Sequence, residues 1–337
     1  MAESPHRSNT WRAITLILTL VGLLVLAIAI RRALAEAAIR LVGITALALA
    51  ALPLFAAWTV ASTLGWRAVL VGAGVQQVSL ARLFVLRIQA QSINLVLPAL
   101  GLGGDAFRAS VLARATRQGP ASTASVALDT AASIVACLLF AGLGTLVGWN
   151  AMRWSEPLRG LAVLGSLAIA TAAWFAPSIV PRLAAWSWLR RWERPLRSMA
   201  AAMGLGRRSG YGRAIAWHLM ERLLIVGEVW VYAWALGVHL SLVDAVFATA
   251  LMTVLSSALF FVPGQVVAAD GGLALGLVWA GAPWEVGIAV ALARRLRQLL
   301  VGTVGMLLSL ADLRRSGRTS EQRRELQVLS SRQRMEG

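Results

Sequence analysis

The chain has 337 residues, 58% of them hydrophobic and only 14% charged, and its mean hydropathy is +0.71. So few charges cannot solvate a water-soluble globule of this length. The net charge of +17 rests on 32 basic residues, all of them arginine, which fall mainly in short segments between apolar runs. That is the pattern of the positive-inside rule, not of a polar face with aromatic readers, so no nucleic-acid partner is expected. The single cysteine, Cys137, excludes an intrachain disulfide framework and a cysteine metal cluster. The histidines at 6, 218 and 239 are too scattered to suggest a histidine-based site, and no metal or cofactor is expected.

A hydrocarbon core about 30 Å thick needs roughly 20 apolar residues per spanning helix, and such stretches recur along this chain. Arg7 and Arg12 precede an apolar run that ends at Arg31-Arg32. It has no clear small-x-small cleavage site, so it reads as a retained first span over 11–30 rather than a signal peptide. A second span covers 41–64, followed by a stretch punctuated by Arg67, Arg82 and Arg87. The next apolar segment, Gln89 to Arg108, is short and broken by Pro98 and the glycines at 101, 103 and 104. Spans follow at 124–149 and 160–180.

Residues 182–213 form a polar connector with eight arginines against Glu193, interleaved with Trp186, Trp188 and Trp192. It is expected either to lie along the headgroups, where Trp and Arg both find a favourable depth, or to be a solvated basic loop. A span over 214–237 leads to a second broken segment, Thr253 to Gly272, interrupted at Pro263-Gly264. A final span covers 286–311, and a basic polar tail follows Arg314.

The two broken segments match. Ser92, Pro98 and Asp105 each lie 165 residues before Ser257, Pro263 and Asp270. Interrupted hydrophobic segments at corresponding places in two halves point to a transporter site. With the 182–213 connector and the tail both inside, the second broken segment opens outside. The first then dips in from the cytoplasm, flanked by Arg87 and Arg108. The expected fold is therefore an all-α polytopic membrane protein with about six full spans plus two broken segments, re-entrant hairpins or pairs of spans, in an inverted repeat. One membrane domain, 1–337, comprises a first half 1–180 with broken segment 85–108 and a connector 181–213. A second half 214–313 with broken segment 245–281 and a tail 314–337 complete it. Both termini are expected in the cytoplasm, and the protein in the cell (inner) membrane.

Charged groups inside a membrane are costly, so they face protein or water and mark candidate sites. Asp105 and Arg108 follow the first break, and Asp270 follows the second. Glu221, Arg222 and Glu228 lie within one span, and Arg294, Arg295 and Arg297 lie within the last. A guanidinium binds phosphate through two parallel hydrogen bonds and stays charged in apolar surroundings, so the trio suits an anionic lipid headgroup. The competing reading has those arginines snorkelling at an interface. Glu221 and Glu228 are either counter-ions to the trio or exposed near a helix end. Asp105 and Asp270 either line a path or cap helix N-termini. Asp129 and His218 read as structural rather than catalytic. No nucleotide-binding loop or clustered carboxylates suggest an enzyme.

Three segments carry a family resemblance. Asn94-x3-Pro98-x4-Gly103-Gly104-Asp105-x2-Arg108, Phe261-Val-Pro263-Gly264-x5-Asp270-Gly271-Gly272 and Arg294-Arg295-Leu-Arg297-Gln298 resemble signatures of the lysylphosphatidylglycerol synthase transmembrane-region family. Within it, the chain is most similar to the hopanoid-biosynthesis-associated membrane protein group. The resemblance implies a flippase-like domain that moves lipids or lipid-linked headgroups between leaflets. By that resemblance Pro98, Gly103, Gly104, Pro263 and Gly264 are structural breaks, and Asp105, Arg108 and Asp270 occupy signature positions. The family often has Glu where Asp105 and Asp270 stand, and usually Gly where Val267 stands. The partners this implies are a membrane lipid with a polar or anionic headgroup and, on an alternative reading, a lipid-modifying enzyme that the protein serves without catalysing.

Overall fold

A computed structural model describes residues 41–75, 77–96, 102–149, 156–175, 193–258 and 266–336. The expected first span, Trp186, Trp188, Trp192, Pro98, Pro263 and Gly264 lie outside the described residues. Among the described residues the fold is helical, without strands. In chain order the helices are α1 (Leu41–Ala50), α2 (Leu52–Gly72), α3 (Leu80–Val96), α4 (Leu102–Thr116), α5 (Gly119–Val147) and α6 (Glu156–Phe175). They continue with α7 (Glu193–Ser209), α8 (Tyr211–Ala235), α9 (Leu242–Ala258), α10 (Val266–Trp279) and α11 (Trp284–Glu336).

Pro53 sits in the first turn of α2, where its missing N–H costs nothing. The chain stays helical through this point: the Ala51 N–H bonds Leu47 O at 3.1 Å and the Phe55 N–H bonds Ala51 O at 2.9 Å. The second expected span is thus a bent helix that runs on to Gly72, eight residues past its expected end at 64. Helices 45–72 and 119–147 are long and apolar enough to cross a membrane. α8 and the first part of α11 are also long, but Glu221, Arg222 and Glu228 in the one and the arginine trio in the other dilute their hydropathy.

α5 is arranged inside-out relative to a water-soluble helix. It exposes Ile134, Leu139, Leu143 and Leu146 and buries Ser122, Ser125 and Asp129. Apolar side chains left outward, such as Leu143 at 52% and Leu307 at 61% exposure, need hydrocarbon rather than water around them.

The packing is antiparallel pair by pair, with glycines at the closest approaches. α2 and α8 form the central pair: Gly65 lies against Ala214 and His218, and Gly210 against Ala68 and Val69. Both broken segments fold back as helix–break–helix pairs. Gly104 of α4 lies against Ala90 and Asn94 of α3. On the second pair, Gly272 lies against Met252, and Gly276, one turn further from the break, lies against Ala248. α9 is started by reciprocal bonds between Ser241 and Asp244: the Ser241 N–H donates to Asp244 Oδ2 at 3.0 Å and the Asp244 N–H to Ser241 Oγ at 3.1 Å. Gly237 (φ 79°) and Gly281 (φ 95°) make the left-handed turns that deliver the chain into α9 and from α10 into α11.

Beside the α2–α8 pair, further contacts tie the halves together, two of them at glycines. α3 packs on α11, with Gly305 beside Ser92 and Ile88 and Gly302 beside Leu95. α5 packs on α9, with Gly144 beside Ala250 and Gly148 beside Phe247. The second part of the connector, 193–209, is neither a free loop nor remote from the bundle. It is a helix whose Gly206 lies against Leu128 of α5 and Val69 of α2. Its small and apolar face (Ala202, Met203, Gly206) packs inward and leaves Arg208 exposed.

Candidate functional site

The interior holds two clusters of charge, each built where a broken hairpin meets the α2–α8 pair. An ion buried without a partner costs about several kcal/mol, so such groups persist only if partnered.

Asp129 of α5 is the hub of the first cluster. Its Oδ2 accepts from Arg87 Nη2 of α3 and Arg108 Nη1 of α4, each at 2.7 Å. Its Oδ1 lies 3.0 Å from His218 Nε2 of α8. The second nitrogen of Arg108, Nη2, donates to Asp105 Oδ1 at 2.6 Å, and the Thr130 hydroxyl donates to Asp105 Oδ2 at 2.6 Å. Asp105 and Arg108 are three residues apart on one helix, a spacing that brings their side chains together. Arg87 Nη2 also donates to the Ser62 carbonyl at 2.9 Å. Beneath these cations lies the Trp66 ring, with the Arg108 guanidinium 4.7 Å and that of Arg87 5.8 Å from its centroid.

His218 Nδ1 lies 2.8 Å from Glu221 Oε2, so both ring nitrogens face carboxylates. Carboxylates only accept. Either the imidazole carries two N–H groups or one carboxyl holds the shared proton. Arg222 lies 3.7 Å from the other oxygen of Glu221.

The second cluster lies further along the same two helices. Glu228 is seven residues, hence about 10 Å, beyond Glu221 on one face of α8. Its Oε1 accepts from Arg297 Nε at 2.7 Å, and its Oε2 accepts from the Trp58 indole N–H at 3.3 Å. Arg297 is 1% exposed, and its guanidinium stands 4.9 Å from the Phe55 ring and 5.6 Å from that of Trp58. Asp270 of α10 receives Arg295 through Nε at 2.8 Å and Nη2 at 2.6 Å, both on Oδ2. Arg294 forms no ion pair among the described residues.

The candidates read from the sequence therefore divide. Arg108, Asp105 and Glu221 belong to the first cluster, and Asp270, Glu228, Arg294, Arg295 and Arg297 to the second. Glu228 is a counter-ion to the arginine trio. Glu221 is not; its partners are His218 and Arg222. The buried Arg297 does not snorkel to an interface. Asp105 and Asp270 sit in ion pairs, and at the start of α4 Asn94 does the capping: its Oδ1 accepts the Gly104 N–H at 2.7 Å. Gly104 leaves no room for a side chain there, since a Cβ would fall 2.5 Å from the Ala90 carbonyl oxygen. Asp129 and His218, read as structural, stand at the centre of the first cluster beside Arg87 and Trp66. Their only signal in the sequence was an ionisable group inside an apolar run.

A third polar contact pins α3 to α11. Asp312 Oδ2 accepts from Arg82 Nη1 at 2.8 Å and from Gln89 Nε2 at 3.1 Å.

No curated protein and no solved structure matches this chain. The family model described as lysylphosphatidylglycerol synthase TM region matches residues 11–305, which takes in every charged residue of both clusters. Apolar outward faces, interior ion pairs and this match agree, and the chain belongs to the lysylphosphatidylglycerol synthase transmembrane-region family, a family of lipid-related membrane proteins.

Proposed function

We propose that this protein translocates a lipid with a polar headgroup between leaflets, without catalysing a reaction itself. The observation that carries the reading is the pair of buried ion clusters, Asp129-centred and Glu228-centred, stacked along α2 and α8 beside the two broken hairpins. Each offers a crossing headgroup charged partners where plain hydrocarbon offers none. Moving between them takes about 10 Å along α8, while the acyl or polyprenoid tail stays in lipid.

An inverted repeat is part of the same proposal, and the helix directions agree with it. α2 and α8 run antiparallel, as do α3 and α11, and α5 and α9. In the proposed arrangement the two hairpins open on opposite sides of the membrane. One side then gathers Arg67, Arg82, Arg114, Arg117, Arg207, Arg208 and Arg213, which the positive-inside rule assigns to the cytoplasm of a cell (inner) membrane. Both termini belong on that side in this arrangement. Cysteine labelling at Arg67 and Gly119 is expected to find both on the cytoplasmic face; labelling from opposite faces overturns the cytoplasmic hairpin.

The direct test is reconstitution. Purified protein in vesicles is expected to speed exchange of headgroup-labelled lipids between leaflets. No acceleration over a broad panel of phospholipids, glycolipids and hopanoids refutes translocation, and acceleration of hopanoids or glycolipids alone supports a link to their metabolism. A second reading, a membrane partner of a lipid-modifying enzyme, draws on α7, which exposes Leu205 and Arg208 on the outside of the bundle. Under it, Leu205→Ser with Arg208→Gln abolishes product in cells and leaves exchange in vesicles intact.

A further inference from the structure

The two clusters differ in how their charge can be balanced. In the first, Arg87, Arg108 and Arg222 face Asp105, Asp129 and Glu221, and the remaining charge is the proton shared by His218 and its carboxylates. Its three guanidinium groups and three carboxylates therefore match one for one apart from that proton. The second sets Arg294, Arg295 and Arg297 against Asp270 and Glu228 only. One guanidinium has no carboxylate, and a guanidinium does not give up its proton in a protein. Among the described residues no third carboxylate meets that surplus.

Unused donors lie in both clusters, Arg87 Nε and Arg222 Nε in the first and two more beside the surplus cation in the second. Arg294 Nε is buried without a hydrogen-bond partner, and so is Nη1 of the 1%-exposed Arg297, beside which lies the equally unpartnered Tyr232 hydroxyl. Arg297 cannot turn to solvent to satisfy that nitrogen, since Glu228 holds its Nε and the Phe55 and Trp58 rings flank it. Asp270 Oδ1 is also unpartnered, because both contacts from Arg295 fall on Oδ2. A carboxylate oxygen this close repels a second negative charge, so the cluster suits a monoanion.

We infer that the second cluster is a seat for one monoanionic phosphate, held by Arg294 together with the free Nη1 of Arg297. This deepens the translocation reading by naming the headgroup charge, and it can be measured without transport. A lipid phosphodiester and free phosphate share the chemistry, and the probes separate them.

The test uses the full chain in nanodiscs, titrated with phosphatidylglycerol, phosphatidylcholine or inorganic phosphate. Phosphatidylglycerol is expected to bind saturably, and the net-neutral phosphatidylcholine more weakly, because its choline cation is repelled by the surplus guanidinium charge. Competition by inorganic phosphate assigns recognition to the phosphate alone; lack of competition assigns it to the lipid. Arg294→Gln is expected to weaken phosphatidylglycerol binding about tenfold or more. Asp270→Asn raises the surplus to two cations, so it is expected to tighten binding. That opposite sign cannot come from misfolding. Equal affinity for the two lipids, wild-type affinity in Arg294→Gln, or weaker binding in Asp270→Asn overturns the seat. Binding with this pattern but no exchange in vesicles leaves the seat standing and refutes translocation.

Discussion

Asp129→Ala is the sharpest probe of the first cluster. Asp129 is buried and accepts Arg87 and Arg108 at 2.7 Å each, with His218 at 3.0 Å. Removing it strands two guanidinium groups in the protein interior. Breaking a buried pair by deleting one partner costs about 3–5 kcal/mol. The retained Asp105 contact to Arg108 and the Ser62 carbonyl contact to Arg87 place the expected loss at the lower end, about 3 kcal/mol. At roughly 2 °C per kcal/mol for a large domain, the midpoint of thermal unfolding in detergent falls by about 6 °C. Adding Arg87→Leu removes one stranded cation, so the double variant should recover part of the loss, with a coupling of about 0.5–3 kcal/mol. The Arg82–Asp312 pair provides the scale: its side chains are 41% and 33% exposed, so Arg82→Gln should cost no more than about 1 kcal/mol. If Asp129→Ala shifts the midpoint no more than Arg82→Gln does, the first cluster is not a closed ion network and the reasoning fails.

Further expectations concern the hairpins and the second cluster. In Gly104→Val the side chain meets the Ala90 carbonyl and Asn94, so overpacking should cost about 1–3 kcal/mol and lower the unfolding midpoint; an unchanged midpoint argues against the close α3–α4 contact. A Cys137→Ala background carrying Leu95→Cys and Gly302→Cys should cross-link under mild oxidation, because a side chain at 302 meets only that of Leu95 across α3 and α11; no cross-link would show the halves are not joined there. Trp58→Phe keeps a ring beside Arg297 but removes the N–H donated to Glu228. Its unfolding midpoint should reflect about 1 kcal/mol, whereas Trp58→Ala should lose clearly more, and equal losses would deny the ring a role.

Much of the architecture was legible because it is local. Apolar runs of spanning length, the arginine-rich connections and the breaks near Pro98 and Pro263 are properties of contiguous sequence. The helices observed at 119–147, 156–175 and 211–235 follow from them within a few residues. The polar half of the connector was harder. By charge alone its 193–209 portion read either as a segment lying along the headgroups or as a solvated loop, yet Ala202, Met203 and Gly206 recur at helical spacing and give it a face to pack.

The interior charges were legible as residues and not as pairs. Hydrocarbon makes an ionisable group in an apolar run conspicuous, which is why Asp105, Arg108, Glu221, Glu228, Asp270 and the arginine trio stood out. Who neutralises whom depends on helices that meet across the bundle. His218 lies 89 residues from Asp129, and Arg297 lies 69 from Glu228, so no local pattern couples them. Three scattered histidines hid one that bridges two carboxylates. Composition determined that arginines and acids would be buried together; only the tertiary packing decided that Asp270 and Glu228 go to Arg295 and Arg297. Arg294 is left over because the described helices around it bring no third carboxylate.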